Sequence, residues 1–120
     1  GVGVGDIQAN RGAVAKSFVK AHKAVLVLKG ASTLVADSEY DDMCVNTTGN
    51  PGMATGGSGD LLGGIIASFT AQGLDCFRSA IAAVNVHGMT GDDVTEKYSM
   101  KGNTPSLMLE QLPLTLKKFE

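Results

Sequence analysis

Apolar residues along this 120-residue chain follow two different spacings, and the changes from one to the other mark its elements. Between Asn10 and Lys23, Ala13, Val14, Phe18 and Ala21 recur at helical spacing, and Asn10 stands where a side-chain oxygen can cap a first turn. The pattern predicts a helix that buries those four residues. "AVLVLKG" (24–30) has no alternation. A short, continuous, partly β-branched run of this kind predicts a strand covered on both faces. Two more short strands are predicted in "STLVAD" (32–37) and "MCVNTT" (43–48), with the acidic "DSEYDDM" (37–43) as the solvated end of a hairpin.

The helical period returns further on. Leu61, Leu62, Ile65, Ile66 and Phe69 predict one buried helix, and Phe77, Ile81, Val84 and Gly88 form the stripe of a second. "TPSLMLEQLPLTLKKF" (104–119) predicts a last helix with Pro105 near its start. Pro113 inside that stretch predicts a break or kink, because it lacks an N–H and crowds the preceding turn. The order of helix, strand, short strand pair and several helices is α/β material with few strands. No internal repeat or interior linker interrupts it.

Composition narrows the class. The length suits one domain or part of one, and 43% hydrophobic with 18% charged residues suits a folded core. A net charge of −2 and a pI near 5.6, with no Lys/Arg block, argue against a nucleic-acid surface. No apolar run approaches the roughly 20 residues of a membrane span, and no signal-peptide pattern opens the chain. Cys44 and Cys76 lie far apart without metal-ligand spacing. They read as two inert thiols in a reduced, cytosolic setting, not as a disulfide. The abrupt opening "GVGVGD" resembles a dinucleotide loop only superficially, since no strand precedes it, and it reads as the start of a fragment.

The chemistry concentrates in "NTTGNPGMATGGSGDLLGGIIASF" (46–69), with glycines at 49, 52, 56, 57, 59, 63 and 64 just ahead of and inside an apolar helix. A helix start leaves backbone N–H groups without acceptors and carries partial positive charge, so it attracts anions. Glycines before it let the backbone come close to a phosphate. The spacing is not that of a Walker A loop, because Ser58 stands where the lysine belongs, and Gly57, Gly59 and Gly63 are one residue too widely spaced for a dinucleotide fingerprint. Backbone dipoles would therefore hold the phosphate. Asp60, beside them, has two readings: a cap for the helix, or a general base that takes the proton of a hydroxyl attacking a phosphoryl group. Elsewhere Lys29 reads as a solvated strand end, His22 as surface, and His87 as a packed or hydrogen-bonded core residue. Asp92 and Asp93 read as helix caps or a continued turn rather than a metal site, and Met53 and Met89 as packing residues.

"GNPGMATGGSGDLLGGIIASFTAQG", preceded by "VLVLKGASTLVAD" and followed by "AIAAVNVHGMTGDD", resembles the C-terminal half of the NAD(P)H-hydrate dehydratase family, within the ribokinase-like superfamily. The resemblance runs from about "IQANR" to near the chain end. It implies a ribokinase-like three-layer α/β/α sandwich, of which residues 1–120 are the C-terminal part. The implied activity is repair of hydrated NADH or NADPH: a nucleotide phosphorylates the ring hydroxyl and phosphate is then eliminated. Bacterial members use ADP and eukaryotic ones ATP, and the motif style favours ADP. By the same resemblance, Lys29, Gly30, Ala31, Ser32 and Thr33 match a first nucleotide-contacting segment. Asn50, Pro51, Gly52, Met53, Ala54, Thr55, Gly56, Gly57, Ser58 and Gly59 match a second, which holds the phosphates. Asp60 matches the acid that contacts the hydrated nicotinamide and acts as base. Mg2+ is expected with the nucleotide, with no ligands assigned. The implied partners are the N-terminal half of the domain, which carries much of the hydrate-binding surface with its "PHPGE"-like motif, and further copies in a homotetramer. An upstream epimerase domain is left open by the resemblance. A ribokinase-like vitamin or sugar kinase, and a fragment that only binds nucleotides, are the alternatives.

Overall fold

Three short strands and a covering helix form around small residues near the start of the chain, while three helices of 12 to 22 residues build most of the rest. The computed structural model describes residues 3–120, so Gly1 and Val2 of the "GVGVG" opening lie outside the described residues. The chain divides into two units, Gly1–Asn46 and Thr47–Glu120.

In the first unit a short helix α1 (Val4–Ala9), which the apolar pattern did not predict and which buries none of its residues, leads into α2 (Arg11–His22). Strands β1 (Val25–Leu28), β2 (Leu34–Asp37) and β3 (Cys44–Val45) follow in an antiparallel meander of order β1-β2-β3. Val25 pairs with Asp37, Leu28 with Leu34, and Leu34 in turn with Val45. Helix α2 packs on β1 and β2. Ala15, Val19 and Ala36 form the core, with Leu26, Leu28 and Met43 partly buried against it.

The structure corrects three expectations here. The buried face of α2 is Ala15 and Val19, not Ala13, Val14, Phe18 and Ala21. The small side chain of Ala15 lets the helix come close to the sheet, whereas Phe18 is 42% exposed and stacks on the surface residue His22, ring centroids 4.2 Å apart. Asn10 precedes the helix but makes no side-chain capping bond. Strand β1 is only half-buried at each of its four residues. A continuous apolar run therefore does not mean burial on both faces here, because the strand belongs to an antiparallel hairpin.

In the second unit a single 3-10 turn (Pro51–Met53) precedes α3 (Ser58–Ala71), followed by α4 (Cys76–Lys97), α5 (Pro105–Leu116) and a last 3-10 turn (Lys117–Phe119). Helix α4 packs against both α3 and α5. Leu62 and Ile65 of α3, Ala80, Ala83, Val84 and Val94 of α4, and Met108 of α5 are the buried apolar residues of this unit, with Val86. The predicted stripes are thus present, although Leu61, Ile66, Phe69, Phe77 and Ile81 are half-buried. Asp75 caps α4 by accepting from the Arg78 N–H at 2.9 Å, and Thr104 caps α5 by accepting from the Leu107 N–H at 3.3 Å. Helix α5 runs through Pro113 to Leu116 rather than breaking there. The carbonyl that Pro113 cannot bond belongs to Leu109, a residue 58% exposed, so water can take its place.

The C-terminal end of this unit is tied to α4 through Asp93. Lys118 Nζ lies 2.6 and 2.8 Å from its two carboxylate oxygens, and the Thr115 hydroxyl donates to it at 2.7 Å. Burial acts to raise the Asp93 pKa, but the hydrogen bonds from Lys118 and Thr115 and the lysine charge outweigh it, so the carboxyl lies below its ordinary 3.8. A carboxyl lowered in the folded state adds stability above its unfolded pKa, and that stability is lost as pH falls through the folded value. Lys118→Met is therefore expected to cost roughly 1 kcal/mol at pH 7, discounted for the half-exposed lysine. In urea unfolding from neutral to acid pH, its deficit relative to wild type should shrink below the usual carboxylate range. A deficit constant down to the most acid pH would refute the assignment.

Candidate functional site

Gly57 enters α3 in the left-handed region, φ 90°, which only glycine adopts without strain. Ser58, Gly59 and Asp60 then form the first helical residues. No side chain caps this start, and among the described residues no acceptor takes the backbone N–H of Gly59 or Asp60. Gly56 has open space where a Cβ would stand. The turn therefore presents donors and the positive end of a 14-residue helix to the outside. Asp60 is exposed and its carboxylate accepts no hydrogen bond from the described residues, so the capping reading of this residue does not hold. The stretch fits an anionic group held by backbone dipoles, with one carboxylate in the same turn.

Behind the turn, His87 of α4 is 8% exposed. Its Nε2 lies 3.0 Å from the Ser58 carbonyl and 3.3 Å from the Ser58 hydroxyl. A carbonyl only accepts, so Nε2 carries the proton and donates. His87 is thus the hydrogen-bonded core histidine expected from the sequence, and it holds the first residue of α3 from within.

The lead-in to the turn is pinned to α4. Gly88 and Gly91 leave no room for a side chain: a Cβ on Gly88 would run into Thr48, and one on Gly91 into the Met53 side chain. Thr48 donates its hydroxyl to the Asn85 carbonyl at 2.9 Å. The Asp92 carboxylate accepts from the Gly49 N–H at 2.8 Å and from Asn50 Nδ2 at 2.7 Å. Asn50 Oδ1 accepts in turn from the Gly52 N–H at 3.0 Å and the Thr95 hydroxyl at 3.1 Å. Asn103, 4% exposed, donates to Thr95 Oγ1 at 3.2 Å and to the Gly91 carbonyl at 3.1 Å. Pro51, Ala54 and Thr55 lie on the exposed side, and Gly52 is packed against Met100.

The acidic pair of α4 departs from the sequence expectation. Asp92 and Asp93 are neither caps nor part of a continued turn: both lie inside α4, which continues to Lys97, and each anchors a different segment. Met53 packs on Gly91 and Met89 is half-buried in α4, as expected of packing residues. Both cysteines are free. Among the described residues, no group of three or more His, Cys, Asp or Glu could hold a metal ion, and no helix is long and apolar enough to cross a membrane.

The remaining candidates, Lys29, Gly30, Ala31, Ser32 and Thr33, belong to the first unit, in the turn between β1 and β2. Lys29 is exposed, as expected. The turn is organised by a residue that sequence reading passed over. The Arg11 guanidinium donates to the carbonyls of Leu28 at 2.8 Å, Lys29 at 3.2 Å, Ala31 at 2.6 Å and Ser32 at 3.4 Å. Gly30 sits at φ 148°, which side chains rarely adopt, and the guanidinium is 3.0 Å from where its Cβ would be, so a larger residue would be strained and would press on Arg11. Ser32 adopts φ 56°, unusual for a residue with a side chain, and Thr33 donates its hydroxyl to the Gly30 carbonyl at 3.2 Å. The only sequence signal for Arg11 was a cation at the start of a helix, where the dipole disfavours positive charge.

Comparison with known proteins identifies the pattern. A family model described as NAD(P)H-hydrate dehydratase matches residues 2–114. The bifunctional NAD(P)H-hydrate repair enzyme Nnr of Moorella thermoacetica is 39% identical over 95% of this chain and 21% of its own length. The ADP-dependent (S)-NAD(P)H-hydrate dehydratase of Neisseria meningitidis is 44% identical over 80% of this chain and 32% of its own. A crystal structure of the ADP/ATP-dependent NAD(P)H-hydrate dehydratase of Bacillus subtilis, co-crystallized with ATP/Mg2+, superposes with a TM-score of 0.93 at 32% identity, covering 99% of this chain and 43% of that one. The chain therefore spans between a fifth and a third of these curated relatives, and its fold is the ribokinase-like α/β fold of the dehydratases, present in part.

The Arg11 geometry makes a specific demand. Arg11→Lys keeps the charge but replaces a planar fork by a point donor that cannot reach four carbonyls. The substitution is expected to cost about 1–2 kcal/mol in the first unit. Amide exchange at residues 29–33 should accelerate. Unchanged exchange there would show that the turn holds its shape without the guanidinium.

Proposed function

Because the chain belongs to the NAD(P)H-hydrate dehydratase family, we propose that the protein carrying it is an ADP-dependent (S)-NAD(P)H-hydrate dehydratase. The observation that carries the proposal is the start of α3, where N–H groups without acceptors and the exposed carboxylate of Asp60 share one helical turn. In this reading the chain is the C-terminal part of the domain. Residues Asn50, Pro51, Gly52, Met53, Ala54, Thr55, Gly56, Gly57, Ser58 and Gly59 form the phosphate-holding loop, and Lys29 to Thr33 a second nucleotide-contacting segment.

Asp60 takes the proton from the ring hydroxyl of the hydrated nicotinamide as that oxygen attacks the terminal phosphoryl group of ADP. AMP leaves. The ring nitrogen's electron pair then assists departure of the phosphate, a neighbouring ring proton is lost, and the double bond of NADH or NADPH is restored. The helix start contributes by stabilising the negative charge spread over the phosphoryl oxygens during transfer. Magnesium is expected to arrive with the nucleotide. Completion of the hydrate-binding surface by the N-terminal half of the domain, assembly as a homotetramer and a cytoplasmic setting belong to the same reading, on the strength of the family alone.

Incubation of the intact protein with hydrated NADH, ADP and Mg2+, followed by absorbance of the restored dihydronicotinamide, tests the proposal directly. No recovery of NADH would defeat it, and phosphorylation of a sugar or vitamin instead would identify a kinase. Asp60→Asn is expected to bind ADP within about twofold of wild type while losing at least roughly 100-fold in turnover. Wild-type turnover in that variant would remove the base role from Asp60.

A further inference from the structure

We propose that Asp92 is a positioning residue: with Asn50 it latches the lead-in of the glycine-rich loop to α4 and so holds the loop in its anion-accepting shape before any ligand arrives. The inference rests on the nucleotide reading of that loop and assigns to a carboxylate on a different helix the task of presenting it. A carboxylate near an anion-holding loop opposes binding through its charge, so its presence calls for a compensating structural task. Both Asp92 oxygens are engaged, one with the Gly49 N–H and one with Asn50 Nδ2, at 2.8 and 2.7 Å. Both bonds come from the loop itself, so the carboxylate is committed to the loop backbone and to Asn50. Aspartate inside a helix is also a poor helix former, and Asp92 lies well within α4.

The rest of the latch follows from Asn50. Its Oδ1 closes the 3-10 turn by accepting from Gly52 and is itself held by the Thr95 hydroxyl, which Asn103 braces from behind. Residues 49–52 are thus fixed by α4 at Asp92 and Thr95, one turn apart on the same helix. Beyond them Gly56 has open space where a Cβ would stand, and on the far side the Ser58 N–H bonds back to the Thr55 carbonyl at the start of α3. A loop held at both ends loses less conformational entropy when it closes on a phosphate.

The hydrogen-bond roles make the proposal testable by exchange of the two side chains. In Asn50→Asp/Asp92→Asn, the amide introduced at position 92 donates to the carboxylate introduced at position 50, and its oxygen accepts from Gly49. That carboxylate still accepts from Gly52 and Thr95. Every bond is conserved. Each single variant instead sets like groups against each other: two carboxylates in Asn50→Asp, and an amide NH2 facing an N–H donor in Asp92→Asn. In the intact protein without nucleotide, each single variant is expected to speed amide exchange at residues 49–53 by about tenfold or more and to weaken ADP binding about tenfold, with the double variant recovering to within about threefold of wild type. Exchange across residues 80–86 reports whether α4 itself stays folded. Thr95→Val is the milder probe: it should raise exchange at Gly52 where Thr95→Ser does not.

A double variant no better than the single ones overturns the latch. So does tighter ADP binding in Asp92→Asn, which would show that only the charge matters. If wild type shows slow exchange at residues 49–53 and yet binds no ADP, the nucleotide reading falls, and the latch is decided by the exchange pattern of the variants alone.

Discussion

The second unit depends on how closely the chain at residues 48–53 lies against helix α4. Gly88 and Gly91 form a flat strip on that helix, and Thr48 and Met53 occupy the space their side chains would need. Helix glycines cost stability relative to alanine, roughly 1 kcal/mol each, so two of them one turn apart reflect a need for contact rather than for helix formation. With the backbone seated there, Asp92 and Thr95 reach its polar groups, and Gly57 can bend the chain into α3. The donors at the start of α3 face outward because both sides of the bend are held.

The first unit solves a related problem with a cation. The turn between β1 and β2 includes Gly30 and Ser32 at positive φ and turns four backbone carbonyls towards one point. Carbonyls gathered in this way repel one another and need donors. Arg11 supplies them from α2, with a planar fork that a lysine lacks. In both units a segment that the family resemblance assigns to the nucleotide is therefore shaped by a charged residue elsewhere in the chain: Arg11 in one and Asp92 in the other. Each charge works through the backbone geometry it imposes.

Much of this was legible in the sequence. The strands at 25–28 and 34–37, the helices beginning at Ser58 and Pro105, the hairpin end and the core position of His87 all follow from spacing, turn residues and capping chemistry. The glycine-rich entry to α3 was readable because glycine clusters before an apolar helix have few other uses. What was not legible was which of two adjacent stripes a helix would bury. On α2 the choice fell on Ala15 and Val19, because helix and sheet approach closely there, and a pattern of apolar positions alone cannot weigh a large exposed Phe18 against a small buried Ala15. Pro113 likewise looked like a break, and was tolerated because the carbonyl it leaves without a donor lies on an exposed residue.

Local chemistry is short-ranged, and so the sequence by itself determined most of the elements, the glycine-rich start of α3 and the family to which the chain belongs. It identified Asp60 as the acid beside that turn but left open whether it capped the helix. Only the structure showed that, among the described residues, none donates a hydrogen bond to its carboxylate. The tertiary structure also decided the tasks of Arg11, Asp92 and Asp93, since the atoms each one holds lie 17 to 43 positions away along the chain. No local pattern encodes a partner at that separation: a charge inside a helix reads as solvated until the fold brings a donor or acceptor to it.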